Sequence, residues 1–196
     1  MFAWMLWQRL RERLTASRIR RPVHPDFNEL FAILNAEQVK YLVVGGYAVS
    51  LHAQPRATKD LDILIKPDKD NAAALFRALA KFGAPLDGLT LDDFADCSSY
   101  FRMGSPPVMV DILPEITGVD FDRAWQQRVM ATIDDKTGLQ VAFISAADLI
   151  AAKEAAGRPQ DLADVAALRE AQDSSVAGPK PKRTRQPRKT KPKSPK

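Results

Sequence analysis

Two aspartates set inside an apolar run constrain this chain more than any other feature. Asp60 and Asp62 stand in the segment DLDILI, residues 60–65, at positions where a buried strand would carry aliphatic side chains. The run is preceded by a second apolar stretch, Tyr41 to Val44, which breaks at Gly45-Gly46 and resumes as a helix-length piece ending before Pro55. The stretch 41–66 therefore reads as strand, glycine turn, short helix, loop and strand. Residues i and i+2 of a strand share a face, so Asp60 and Asp62 project side by side while Leu61 and Ile63 face the other way. Adjacent anions repel, and a divalent cation offsets that cost; hard cations such as Mg²⁺ take carboxylate oxygens together with substrate phosphates. Gly45 and Gly46 let backbone approach a ligand closely, and the amides that open the following helix suit a phosphate. Metal-binding carboxylates beside a phosphate cradle point to a nucleoside triphosphate.

The same anomaly recurs once. Val108 to Leu113, VMVDIL, reads as a strand with Asp111 inside it, joined to a strand over Ser99 to Met103 by the turn Gly104-Ser105-Pro106-Pro107. An ionised aspartate in such a run must be paired or metal-bound. Around these strands the spacing predicts helices. Phe27 to Val39 is capped by Asp26, with Phe27, Leu30, Phe31 and Leu34 as its apolar stripe. Asp68 to Phe82 ends at Gly83, and Phe121 to Arg128 is shorter. Ala146 to Ala156 follows a Ser145 cap and ends at Gly157 and Pro159; Gln160 to Ala171 comes last. Val129 to Asp134 and Leu139 to Ile144 form a hairpin. The expected fold class is α/β (α+β), a small mixed central sheet with flanking helices and a C-terminal helix pair. Asp92, Asp93 and Asp96 read as capping or solvated acids, and His52 as a packed or solvated side chain.

The stretch Val44-Gly45-Gly46, thirteen residues, then Asp60-Leu61-Asp62-Ile63 resembles the signature of the DNA polymerase β-like nucleotidyltransferase superfamily. Arg56-x-Thr58-x-Asp60-x-Asp62 looks like its common bacterial form. Ser145 to Leu168 resembles the C-terminal motifs of nucleotidyltransferases related to the AbiEii toxin group, with Lys153 on one helix and Asp161-x-x-Asp164 on the next. Gln160 departs from that pattern, which has a basic residue there. The resemblance implies transfer of a nucleoside monophosphate from a triphosphate to a hydroxyl. It implies Asp60, Asp62 and Asp111 as ligands of two Mg²⁺ ions, with Asp111 also accepting a proton. Gly45, Gly46 and Arg56 would hold the nucleotide, and Lys153 would assist catalysis. The AbiEii likeness implies RNA, particularly tRNA, as acceptor and an antitoxin partner. Each residue has a plainer alternative: Arg56 a salt bridge to the aspartates, Lys59 surface solubility, Lys153 a solvated helix position, and Asp161 and Asp164 a cap or a pairing with Arg158. At the level of the whole chain the alternative is a non-catalytic module that keeps this fold and attaches to nucleic acid or a membrane surface through its ends.

Charge divides the 196 residues into three segments. Residues 180–196 carry nine Lys and Arg and no acid, and residues 1–21 carry six Arg against Glu12. Removing these from totals of 29 and 24 leaves 14 basic and 23 acidic residues over 22–179, a net of −9. The expected organisation is an Arg-rich helical extension over 1–21, one nucleotidyltransferase domain over 22–173, and a disordered basic tail over 174–196. The tail is too poor in apolar residues to fold, and its charge serves either phosphate-backbone attraction or solubility. The apolar start MFAWMLW precedes its arginines, the reverse of a secretory signal, and no run is long enough for a membrane span. Cys97 has no disulfide partner in the chain. These features lead to the expectation of a cytoplasmic protein.

Overall fold

The structure is a computed structural model that describes residues 17–18, 24–97, 100–106 and 108–176. Among the described residues, seven strands make one mixed sheet: β1 (Ser17–Arg18), β2 (Tyr41–Val43), β3 (Asp60–Ile65), β4 (Phe101–Ser105), β5 (Val108–Leu113), β6 (Val129–Asp134) and β7 (Leu139–Phe143). Their spatial order is β1-β6-β7-β2-β3-β5-β4. The helices are α1 (Pro25–Ala36), α2 (Gly45–His52), α3 (Lys69–Phe82), α4 (Asp92–Ala95), α5 (Phe121–Gln126), α6 (Ala146–Ala156) and α7 (Pro159–Val176). The expected mixed α/β class is observed.

Register explains why β3 alternates as it does. Val43 pairs with Ile63 across the antiparallel β2–β3 ladder, Ile63 with Ile112 across the parallel β3–β5 ladder, and Ile112 with Phe101 across the antiparallel β5–β4 ladder. Register partners point to one face, so this row is apolar across four strands, with Val43, Ile63 and Ile112 buried. One residue along, the row reads Asp62, Asp111, Arg102. The two faces therefore differ in kind: one packs, the other carries charge.

The helices close the core. Phe27, Leu30, Phe31 and Leu34 are buried along α1, as their spacing predicts. Its cap is His24, whose imidazole accepts from Asp26 N, in place of the expected Asp26; Pro25 begins the helix, where its missing N–H costs nothing. Asp68 caps α3 through Asn71 N, and Gly83 ends it at φ +82, a left-handed conformation that glycine adopts without strain. Asn71 also ties the sheet together. Its amide accepts from Lys40 N and donates to Lys40 O and Lys66 O, at 2.7, 3.0 and 2.9 Å, so this buried side chain has all its polar atoms partnered. Asp93 accepts from Thr90 N and Oγ, which makes one acid of the 92–96 cluster a turn cap.

Residues 17–18, expected to lie in a helical extension, form a two-residue strand parallel to β6 at the sheet edge. Helix α7 runs to Val176. The rest of the extension and of the tail lies outside the described residues.

Candidate active site

The site begins at the end of β2. Val44 N donates to Asp62 O at 2.9 Å, which fixes the glycine turn against β3. Gly45 adopts φ +58, and a Cβ built on it would lie 1.9 Å from Asp62 Oδ2. A Cβ on Gly46 would lie 2.5 Å from Thr58 Oγ. Both glycines are thus required by the protein's own packing, and the group that approaches most closely is the Asp62 carboxylate. Gly46 N–H donates to that carboxylate, so the start of α2 already faces an anion.

Asp62 sits among like charges. Burial, then Asp111 and Asp60, push its carboxyl up to about 6, against the opposing pull of Gly46 N–H and Lys153. A carboxylate destabilised by both burial and anionic neighbours is a ready oxygen donor for a cation. Asp60 and Asp62 line a cavity of about 530 Å³ together with Gly45, Gly46, Arg56 and Thr58. That volume falls in the range of small-molecule sites.

Asp111 is 7 % exposed and is Asp62's register partner, so the two carboxylates share a face. It does not line the cavity. Arg102 Nε and Nη2 donate to its two oxygens, each at 2.6 Å. Arg102 was not identified from the sequence; on an edge strand it looks like an ordinary solvated arginine, and only register reveals its partner. The fit of these residues to a divalent cation is therefore uneven: Asp60 and Asp62 present crowded hard oxygens, whereas Asp111 already has a counter-ion. Among the described residues, no cluster of three or more His, Cys, Asp and Glu is arranged to hold a metal ion.

The same cavity carries cations. Arg56, Lys153 and Arg158 line it, as do Gln160 and Asp161. Lys153 is 7 % exposed, and its Nζ lies 2.9 Å from Asp161 Oδ1 and 2.7 Å from Asp164 Oδ2. It is a fixed, paired charge and not a solvated helix position. Arg56 Nη2 donates to Asp164 Oδ2 at 2.9 Å, so its salt bridge is to α7 and not to the β3 aspartates. Arg158 Nε donates to Asp161 Oδ2 at 2.8 Å, and Gln160 Nε2 to Asp164 Oδ1 at 3.2 Å. Burial raises the Asp161 and Asp164 carboxyls, but Lys153 and the arginines outweigh it and hold both below the usual carboxylate value. Three cations against two carboxylates leave this ion-pair cluster one charge positive, suited to phosphate oxygens.

Other expected positions resolve simply. His52 shares a 2.7 Å hydrogen bond with Ile144 O, tying α2 to the end of β7; burial depresses its pKa, and it has a structural role. Lys59 is exposed and does not line the cavity. Glu115 and Thr117, absent from the sequence reading, also line it. No helix among the described residues is long and apolar enough to cross a membrane.

Residues 25–173 match the family described as "Nucleotidyltransferase of unknown function (DUF6036)". No curated protein matches the chain. Among solved structures, the solution structure of the antibiotic-resistance factor ANT(2'')-Ia is similar at 18% identity and TM-score 0.46, over 78% of this chain and 83% of that one. The crystal structure of an antigenic nucleotidyltransferase-like protein from Paracoccidioides brasiliensis is similar at 17% identity and TM-score 0.44, over 77% and 78%.

Proposed function

The chain belongs to that nucleotidyltransferase family, and from this premise we propose that it transfers a nucleoside monophosphate from a triphosphate to a hydroxyl acceptor. The observation that carries the reading is the polarity of the cavity. Asp60 and Asp62 line it together with Arg56, Lys153 and Arg158. A triphosphate held there would meet these cations as well as a carboxylate-held metal.

Asp60 and Asp62 would hold a divalent cation, Mg²⁺ being the natural choice for oxygen donors, and its chemistry would be to neutralise phosphate charge and acidify the acceptor hydroxyl. The chain's own residues do the rest. Lys153, locked by Asp161 and Asp164, offers a preorganised charge that needs no reorientation during reaction. Arg56 and Arg158 present guanidinium edges to the phosphates. Gly45 and Gly46 keep the α2 terminus open beside Asp62, and Leu149 and Ile116 contribute apolar surface to the same cavity.

The finer reading is RNA, particularly tRNA, as acceptor, an antitoxin partner and a cytoplasmic setting, with the domain over 22–173 as the catalytic unit and the basic ends as auxiliaries. It is supported by the AbiEii-like Lys153 and Asp161-x-x-Asp164 and by the basic 180–196 segment. The test is incubation with Mg²⁺, each α-labelled nucleoside triphosphate and, separately, total cellular RNA, aminoglycosides or protein. The expected result is label transferred to RNA by wild type and not by Asp62→Ala, with both proteins folded; no transfer to any acceptor overturns the reading.

A second reading, a fold that binds without catalysing, draws on Arg102 taking both oxygens of Asp111. It expects no transfer and no rise in melting temperature on adding Mg²⁺ and triphosphate, since a ligand of the native state must stabilise it.

A further inference from the structure

Asp111, Asp62 and Arg102 lie in one register row across β3, β5 and β4. The carboxylate in the middle of that row has two possible counter-ions: the guanidinium on one side, or a cation shared with the carboxylate on the other. The structure shows the first. Both Asp111 oxygens accept from Arg102 at 2.6 Å, in the fork geometry that matches a guanidinium to a carboxylate. The Arg102 side chain is half exposed, and its guanidinium carbon lies 5.8 Å from the centre of the exposed Tyr100 ring.

The energetics make the choice exclusive. A carboxylate as buried as Asp111 must be compensated, and removing its partner leaves an uncompensated charge. Once Arg102 supplies that compensation, a divalent ion on the same oxygens would sit within a few ångströms of a fixed positive charge. Like charges so close in a half-buried site repel strongly. Asp60 and Asp62 line the cavity; Arg102 attracts Asp60 only at longer range, and among the described residues no guanidinium donates to either carboxylate.

We propose that Arg102 stands in for a second metal: the site takes one divalent cation, on Asp60 and Asp62, and the guanidinium serves as the permanent counter-ion of Asp111. Arg102 is then a positioning residue that sets the cation count. This rests on the reading of Asp60 and Asp62 as cation ligands, and it replaces the two-ion arrangement expected from the sequence with a one-ion arrangement.

The test counts Mn²⁺ bound to the full chain by electron paramagnetic resonance, with a non-hydrolysable nucleoside triphosphate present. Ions bound by Asp62→Asn are subtracted as surface background. The expected counts are one ion for wild type, two for Arg102→Ala, and one for the double variant Arg102→Ala with Asp111→Asn, in which the freed carboxylate is gone. Melting in EDTA should fall for Arg102→Ala and recover with Mn²⁺ by more than wild type gains. Should the alanine variant not fold, Arg102→Gln keeps a hydrogen-bond donor without charge and carries the same expectation of two ions. Two ions in wild type overturn the proposal while leaving the site reading intact, as does a count of one in both single variants. No ion above background in wild type overturns the reading of Asp60 and Asp62 itself.

Discussion

The Asp62 carboxylate lies so close to the Gly45 α-carbon that an added Cβ would stand 1.9 Å from Oδ2. Gly45 also holds φ +58, so a side chain there faces both backbone strain and a collision. Gly45→Ala should cost about 2–4 kcal/mol of stability, with the collision adding to roughly 1 kcal/mol for the backbone. Gly138→Ala is the control: φ is +68, but nothing lies within 4 Å of its Cβ position. Urea denaturation of both variants checks this. Equal losses would mean that Asp62 yields freely.

Asp62 also sets a pH dependence in metal-free protein. Its folded pKa of about 6 lies above its ordinary value of 3.8, so the native state holds that proton more tightly than the unfolded chain. The contribution is fully present below about pH 4 and is lost as pH rises through about 6, at most about 3 kcal/mol. Asp161 and Asp164, held low, act in the opposite sense: their contribution is present above 3.8 and is lost as pH falls below it. The Asp62 part of stability in EDTA should therefore decline from about pH 4 toward 7, while His52, its pKa depressed by burial, contributes in the opposite sense as pH rises. Asp62→Asn should flatten the decline without moving the acid limb. Denaturant melts across pH 3–7.5 measure both limbs.

Lys153 and Arg158 both bond Asp161, yet their exposures separate them. Lys153 is buried between two carboxylates, so Lys153→Met should destabilise by about 3–5 kcal/mol. Arg158 has a side chain 78 % exposed, so Arg158→Ala should change stability by less than about 1 kcal/mol. If Arg158 contacts phosphate, the same change should weaken Mg²⁺-triphosphate binding by about 10-fold or more, the worth of one charge-assisted hydrogen bond. Calorimetric titration beside a thermal melt distinguishes the two effects.

Asn71 offers a test of the fold independent of the cavity. Asn71→Ala removes three side-chain hydrogen bonds, stranding the Lys40 amide, while Lys40 O and Lys66 O keep Lys66 N and Asp68 N as donors. The expected loss is about 2–4 kcal/mol with triphosphate affinity unchanged in the folded fraction. A loss below about 1 kcal/mol would indicate that water replaces the amide.

Local chemistry made much of this molecule readable in advance. Asp60 and Asp62 betray themselves by interrupting an aliphatic run, and β3 and β5 lie where that run and VMVDIL place them. Asp68, Gly83, Ser145 and Gly157 cap or end their helices through contacts spanning a few residues, which is why sequence neighbours suffice to find them. What escaped were partners distant along the chain. Arg56 and Asp164 are separated by 108 positions, and nothing near either one names the other. Arg102 is separated from Asp111 by only nine, but the pairing depends on how the β4–β5 hairpin is registered, and a one-residue slip would turn the guanidinium to the other face. Short β1 pairs with a strand more than a hundred residues later, again a long-range event.

The cavity lining comes from well-separated parts of the chain, residues 44–62, 113–117 and 149–161. During synthesis Asp60 and Asp62 leave the ribosome first and stay uncovered until α6 and the start of α7 emerge. A truncated product ending before Ala146 would keep both aspartates and the glycine turn but lack Lys153, Arg158 and the paired acids of α7. Under the proposed function, such a product would be unable to grip a triphosphate, so the capacity to bind substrate waits for α6 and α7 to be made.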